Sequence, residues 1–319
     1  MEDLKREDIR LISQNSNWTA KRVDQLLREK HYNNAESWQR FLRIIFISLG
    51  IGFTVTGILF FFAYNWAGLH KFVKIGLIEV LIVATTIAAV LPKLSPDIKN
   101  IVLTGASVLV GVLFAVFGQV YQTGANAYDF FLAWTAAITL WVLVAGFAPL
   151  WVVYLTLINT TIILYSEQVA HGWSAIAIFT VLFLINGIFL ILTLAGSKVI
   201  KAMNPPVWFS NLIALAAFTF ATIGIIIGIF DKQRPSFYVL IIITSLVYGV
   251  GLTYGIRNSN RFYLTVIPFS LITIASAFLL KLSNEAWMFL IISIFVVTSV
   301  TLVIKKLIDL QKKQTNEEQ

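Results

Sequence analysis

Residues 208–230 read WFSNLIALAAFTFATIGIIIGIF, an apolar run without a single charged side chain. An α-helix rises about 1.5 Å per residue, so about 20 such residues cross the hydrocarbon core of a bilayer, which is about 30 Å thick. Runs of this length and composition are typical of membrane-spanning segments and not of soluble domains. The stretch therefore predicts a transmembrane helix.

The same pattern recurs along the chain and predicts an all-α polytopic membrane bundle of about ten transmembrane helices. The boundary between the fourth and fifth spans rests on GFAPL (146–150), where Gly146 is suited to end one helix and Pro149 to begin the next. The expected spans are residues 42–64, 75–91, 100–121, 129–147, 149–166, 173–195, 208–230, 236–256, 261–280 and 286–304.

The overall composition agrees with a membrane protein and narrows its chemistry. Of 319 residues, 58% are hydrophobic and 13% charged, whereas soluble domains average about 45–50% and about 25%. The chain has no cysteine and only three histidines, which show no metal-ligand spacing, so we expect no metal and no cofactor. The formal net charge of +8 is typical of a cytoplasmic membrane face, so lipid rather than nucleic acid is the expected partner.

The distribution of Lys and Arg predicts the orientation. If both termini lie on one side, that side holds 19 of the 24 Lys and Arg residues and the opposite side holds 5. Positive residues remain on the cytoplasmic side of membranes. We therefore expect a multi-pass protein of the cell (inner) membrane with cytoplasmic N- and C-termini. No cleavable signal peptide is expected, because no short apolar stretch follows MEDLKREDIR.

The chain divides into four expected regions. Residues 1–40 form a cytoplasmic amphipathic segment with a helix from Thr19 to about Lys30, which lies against lipid or the bundle, or docks a cytoplasmic protein partner. Residues 41–166 hold the first five transmembrane helices, and residues 167–307 hold the second five. Residues 308–319 are expected to be a disordered polar tail.

Small residues predict where the helices approach one another, because close packing is a main source of helix association in lipid. Contacts within one chain and a homo-oligomer face are both compatible with this pattern. The residues concerned are Gly224 and Gly228 in the seventh span, Gly251 and Gly255 in the eighth, and Gly50, Thr54 and Gly57 in the first.

Three further residues interrupt the apolar spans. Asn159 and Asn186 lie mid-membrane in the fifth and sixth spans, where an amide needs a partner in the bundle or contacts a substrate. Pro268 lies mid-span in the ninth segment and removes one helical hydrogen bond. Such a kink is compatible with a static bundle and with a carrier.

The most unusual connection is FGQVYQTGANAYDFFLAW (117–134), which is rich in amides and aromatic residues but has no Lys or Arg. The predicted topology brings other polar residues to the same outer level, and together they suggest a cation, proton or neutral polar ligand site. The alternatives are that Asp129 caps a helix, Glu79 snorkels or pairs with Lys74 or Lys71, and the aromatics form a membrane belt. The candidate site residues are Asn65, Trp66, Glu79, Gln119, Tyr121, Gln122, Asn126, Asp129 and Trp134.

The order of these motifs resembles a bacterial family of predicted membrane proteins catalogued as domain of unknown function 2157. The resemblance covers about residues 5–165 and rests on FFAYNW (61–66), FGQVYQTG (117–124) and DFFLAW (129–134). Its most specific parts are Asn65–Trp66 and the hairpin that contains Gln119, Tyr121, Asp129 and Trp134. The family has no established activity, so the resemblance implies a bacterial membrane protein and assigns no reaction.

Two classes of function agree with these patterns. No nucleophile with a base, HExxH, GxSxG or P-loop motif is present, so we expect no enzyme. The first class is a non-catalytic scaffold, sensor or envelope-maintenance protein. The alternative is a secondary carrier or lipid-handling protein with an outward-facing acidic polar site.

Overall fold

A computed structural model describes residues 22, 35–64, 68, 70–92, 94–199, 205–231, 235–258, 260–283 and 285–317. Those residues form ten α-helices and contain no strand, and every helix is long and apolar enough to cross a membrane. The predicted all-α polytopic bundle is thus confirmed. The cytoplasmic location of the termini stays a prediction.

The ten helices follow the predicted spans in order. α1 spans Ala35–Tyr64, α2 Lys71–Val90, α3 Pro96–Tyr121, α4 Ala127–Ala145, α5 Ala148–Gln168, α6 Ala175–Val199, α7 Val207–Phe230, α8 Pro235–Arg257, α9 Arg261–Leu282 and α10 Ala286–Glu317. Except for Arg22, the helix expected from Thr19 to Lys30 lies outside the described residues.

The outermost helices extend further than the apolar pattern indicates. α1 begins at Ala35, before the first strongly apolar residues, and α10 continues to Glu317, through most of the tail predicted to be disordered from residue 308. Hydropathy identifies only the part of a helix that lies in the bilayer. Leu, Gln and Lys, which are good helix formers, continue α10 beyond that part.

The connection between α4 and α5 has the predicted form. Gly146 follows α4 in a left-handed conformation with φ of 54°, and its N–H donates to the Val142 carbonyl over 3.2 Å. α5 then begins at Ala148 with Pro149 in its first turn, where a missing N–H costs nothing. The tight turn at GFAPL is confirmed.

The chain divides into two compact units, residues 1–116 with 312–319 and residues 117–311. α3 therefore runs from the first unit into the second. The predicted division into two sets of five transmembrane helices stays a prediction.

In the first unit, α1 packs on α3 through Ile51. A Cβ on Gly105 would lie 2.6 Å from Ile51 Cγ2, so this glycine permits the close approach of the two helices. The predicted face of α1 is different, since Gly50 and Gly57 have open space around them and Thr54 is exposed. The contact therefore uses the neighbouring face of α1, which the small-residue pattern did not identify.

In the second unit, α7 is the central helix and contributes to two buried clusters. One cluster joins residues of α5 to α9 around Phe218, and the other joins α6, α7 and α8 around Ala221 and Leu240. Half of the apolar window of α7 is buried. The seventh span, an apolar stretch without charge, thus lies at the centre of the unit.

Glycines allow the close packing of α7, α8 and α9, as one of the two predicted alternatives expects. A Cβ on Gly224 would lie 2.8 Å from Leu240 Cδ2, and one on Gly228 would lie 2.1 Å from Phe237 Cδ2. Gly251 likewise faces Ile267 of α9, with 2.6 Å to its Cδ1. The contacts within one chain are confirmed, and the homo-oligomer alternative stays a prediction.

A group of three hydroxyls joins α7, α8 and α9 near Pro268. Ser270 Oγ lies 2.6 Å from both Thr222 Oγ1 and Tyr248 Oη. Thr222 also donates to the Phe218 carbonyl at 2.6 Å. Because hydroxyls in a bilayer need protein partners, this group fixes the rotation of all three helices.

Candidate functional site

The turn between α3 and α4 has an unusual backbone. α3 ends at Tyr121 and α4 begins at Ala127, and two residues between them have positive φ, 44° at Gln122 and 64° at Gly124. Glycine adopts this conformation readily, but for a residue such as glutamine it is uncommon. Contacts at the start of α4 hold this turn in place.

Asp129 closes the first turn of α4. Its Oδ2 accepts a hydrogen bond from the Asn126 N–H at 3.0 Å, and its own N–H donates to the Asn126 carbonyl at 3.1 Å. The carboxylate also lies at the positive end of the helix dipole, which favours a negative charge there. The capping role, one of the alternatives predicted for Asp129, is confirmed.

Gln168, which the sequence patterns did not single out, ties this turn to the end of α5. Its Oε1 accepts a hydrogen bond from the Tyr128 N–H at 3.0 Å, so a side chain from α5 satisfies a free N–H at the start of α4. The sequence does contain a signal for this contact, because the predicted topology places the end of the fifth span on the same side of the membrane as the start of the fourth. Only the three-dimensional pairing identifies the residue.

Aromatic rings surround the same end of the second unit. The ring centroids of Tyr128 and Tyr165 lie 5.3 Å apart in an edge arrangement, and Tyr165 contacts Trp173 at 6.0 Å. On α4, Trp134 stacks on Phe131 at 6.1 Å. These rings pack one hairpin against the next, whereas the predicted membrane belt concerns the bilayer and stays a prediction.

The structure brings together those site residues that belong to the turn. Gln119, Gln122 and Asn126 are exposed, and Tyr121 is 43% exposed. Asp129 and Trp134, which point back toward α4 and its neighbours, are half-buried. The turn thus presents amides and one phenol outward from a fixed backbone.

The other predicted site residues belong to the first unit. Glu79 is exposed and lies about two turns into α2, because this helix begins at Lys71. Lys74, one of its two predicted partners, is buried on another face of the same helix. Asn65 and Trp66 lie outside the described residues.

The turn offers hydrogen bonds rather than metal ligands. Among the described residues, no group of three or more His, Cys, Asp or Glu side chains is arranged to hold a metal ion. The exposed amides both donate and accept, and the phenol of Tyr121 adds an aromatic face. This combination suits recognition of a polar surface.

The fold and this turn define a polytopic integral membrane protein with a hydrogen-bonded polar connection between two of its helices. Residues 17–151 match the family model described as Predicted membrane protein (DUF2157). The matched range contains the whole turn and α1 to α4, and it confirms the resemblance over a slightly shorter stretch than residues 5–165. No curated protein matches the chain.

Proposed function

We propose that the chain is a non-catalytic scaffold, sensor or envelope-maintenance protein of the bacterial inner membrane, with a scaffold best supported. The turn at residues 122–126 would be its recognition surface outside the bilayer. The observation that carries this proposal is a fixed backbone combined with exposed side chains. Asp129 and Gln168 hold the turn, while Gln122 and Asn126 remain exposed. A surface that is already ordered loses less conformational entropy when a partner binds.

The carrier alternative has less support from the same residues. A cation or proton site needs a carboxylate that is available to the ion, whereas the Asp129 carboxylate accepts the Asn126 N–H. Glu79 and Glu167 are exposed, whereas the acidic residues of an ion pathway face the interior of the bundle. The mid-membrane amides Asn159 and Asn186 bond to each other, which satisfies them without a substrate.

Orientation and partners complete the proposal. With both termini in the cytoplasm, the turn lies on the outer face of the inner membrane, and residues 1–40 lie on the opposite side. We propose that residues 1–40 bind a cytoplasmic protein partner. The excess of Lys and Arg on the side of the termini supports this orientation.

The first experiment measures thermal stability of the protein in nanodiscs against a panel of cations, pH values and small polar metabolites. Wild type, Asp129→Asn and Glu167→Gln are compared, the last being the matched control because Glu167 is an exposed carboxylate in the last turn of α5, the turn that also contains Gln168. A scaffold predicts no solute-dependent stabilisation. Asp129→Asn should be less stable by about 0.5–2 kcal/mol under every condition, because it weakens the cap.

Two outcomes would overturn the scaffold. One is stabilisation that rises with the concentration of a solute and disappears in Asp129→Asn but not in Glu167→Gln, which would favour a carrier. The other concerns residues 1–40. A scaffold predicts that deleting them preserves membrane insertion and removes a co-purifying partner, so retention of every partner would contradict this part of the proposal.

A further inference from the structure

We infer that a groove between α7, α8 and α9 binds one acyl chain of an anionic phospholipid. The groove has a volume of about 1120 Å³ and lies entirely in the second unit. Ligand sites in proteins commonly enclose about 300–1,000 Å³, so the groove is large enough for a long chain. It uses other residues than the turn at 122–126, so the inference goes beyond the proposed function and does not depend on it.

The walls of the groove are suited to hydrocarbon. Most of the lining is aliphatic or aromatic, so a charged or strongly polar solute would lose its hydration without compensation there. An acyl chain has no polar group whose hydration would be lost. Residues from all three helices contribute, among them Ile225 and Ile229 of α7, Phe237 and Ile241 of α8, and Ile274 and Phe278 of α9.

One polar side chain that lines the groove has a buried hydroxyl without a partner. Thr244 lines the groove and is only 3% exposed, and among the described residues its Oγ1 has no hydrogen-bond partner. Thr222 on the neighbouring helix shows the usual arrangement, in which the hydroxyl donates to a carbonyl one turn earlier. A buried hydroxyl without a partner is rare. Because this Oγ1 is itself buried, the Thr244 side chain has to rotate about Cα–Cβ to bring it to the groove, where an ester oxygen of a lipid would supply the missing acceptor.

A cation stands at one end of the groove. Lys281, at the C-terminal end of α9, lines the groove and donates from Nζ to the carbonyl of Ile229, at the end of α7. An ammonium group has three donors, so others remain for a second acceptor. The side chain is exposed. A phosphate at this position would be attracted by the charge and would bond to the free N–H groups.

The order of the polar groups matches a phospholipid. Phe237 packs on Gly228, next to the Ile229 carbonyl that accepts from Lys281. Thr244 lies two turns further along α8, about 10 Å deeper. From the end of the groove inward, the cation therefore comes first and the hydroxyl second. In a phospholipid the phosphate comes first and the acyl ester second.

The adjacent surface faces lipid, which favours a lipid as the occupant over another helix. Leu246 and Val250 of α8 are 67% and 69% exposed. They lie beside Ser245 and Gly249, which line the groove. A chain from the surrounding bilayer thus has direct access to the groove.

The test uses the absence of cysteine from the sequence. A single bimane fluorophore is attached at Ser245→Cys in the groove, or at Val250→Cys on the exposed face of the same helix as a matched control. Each labelled protein is placed in nanodiscs that contain brominated phosphatidylglycerol or brominated phosphatidylcholine at equal mole fraction. Bromine quenches bimane only on contact, so the quenching reports which lipid occupies each position.

We expect brominated phosphatidylglycerol to quench the Ser245 probe more strongly than brominated phosphatidylcholine, whereas the two lipids quench the Val250 probe equally. Lys281→Gln should lower the preference at Ser245 roughly fivefold, the effect of about 1 kcal/mol for one cation near an anionic headgroup. Thr244→Val keeps the shape of the side chain and removes the hydroxyl. It should weaken quenching at Ser245 by both lipids, because both carry acyl esters.

Three results would overturn the inference. Equal quenching of the Ser245 probe by the two lipids would exclude headgroup selection, and an unchanged preference in Lys281→Gln would exclude the assigned cation. Quenching at Val250 without quenching at Ser245 would show that protein, either α10 or a second copy, covers the groove. None of these results concerns the turn at 122–126, so the proposed scaffold is tested separately.

Discussion

Asn159 of α5 and Asn186 of α6 hydrogen-bond to each other through both side-chain amides, with Nδ2 to Oδ1 distances of 3.3 and 2.9 Å. Asn186 also donates to the Leu182 carbonyl at 2.8 Å and is 1% exposed. The bilayer interior provides no water to replace these bonds. The two amides therefore act as one unit, and their replacement should not be additive.

A double-mutant cycle measures this coupling. Asn159→Leu and Asn186→Leu should each lower the free energy of unfolding in detergent micelles, because each leaves the other amide without its partner. The double variant should be more stable than the sum of the two losses predicts, with a coupling of about 0.6–1.7 kcal/mol. Additive losses would mean that the reciprocal pair contributes nothing as a pair.

The close contact of α7 with α8 predicts a large effect of one methyl group. Gly228→Ala places a Cβ 2.1 Å from Phe237 Cδ2, so the ring or the helix must move, and we expect a loss of about 1–3 kcal/mol of unfolding free energy. Gly187→Ala is the control, because open space surrounds that position in α6. It should be neutral or stabilising by up to about 1 kcal/mol. Equal effects of the two substitutions would contradict the packing described here.

The three hydroxyls of Thr222, Tyr248 and Ser270 give a further stability prediction. Ser270→Ala removes the hydroxyl that lies 2.6 Å from both Thr222 Oγ1 and Tyr248 Oη. The buried phenol of Tyr248 is then left without a short hydrogen bond. We expect a loss of about 1–3 kcal/mol. Ser276→Ala is the control on the same helix, since Ser276 donates to the Ile272 carbonyl at 2.8 Å within α9 and, among the described residues, joins no other helix by a hydrogen bond. The prediction fails if the control costs as much as Ser270→Ala.

Orientation is checked by single cysteines in the connections between helices. A membrane-impermeant maleimide should label Thr123→Cys and Gly172→Cys in intact cells, because both positions are exposed in connections on the predicted outer side. Ser95→Cys and Asn258→Cys should react only after the cells are permeabilised. The reverse pattern would place both termini outside the cytoplasm.

The existence and order of the ten helices follow from the sequence because the physical cause is local. Each span consists of enough apolar residues to cross the bilayer, and the intervening polar residues mark the ends. The ends themselves are less well determined, as α10 shows by continuing to Glu317. Outside the hydrocarbon, a helix no longer depends on apolar residues.

The pairings between helices are harder to predict from the sequence because they depend on the rotation and tilt of each helix, which packing determines. The sequence marked Asn159 and Asn186 as amides that need a partner, but their pairing is a property of the bundle. Gln168 shows the same limit, since a polar residue at the end of a helix is common and its hydrogen bond with the Tyr128 N–H depends on how α4 and α5 pack. Thr244 has no hydrogen-bond partner among the described residues, and this too follows from the packing of its helix and not from the sequence.

The short connection at Gly146 and Phe147 has a consequence for biogenesis. Only these two residues separate α4 from α5, and neither they nor the flanking helices carry a Lys or Arg that could direct one end to the cytoplasm. A ribosome-bound chain therefore has no local signal that would let the insertion machinery release α4 by itself. We therefore expect the two helices to enter the membrane together as a hairpin, with its orientation determined by the segments that precede and follow it.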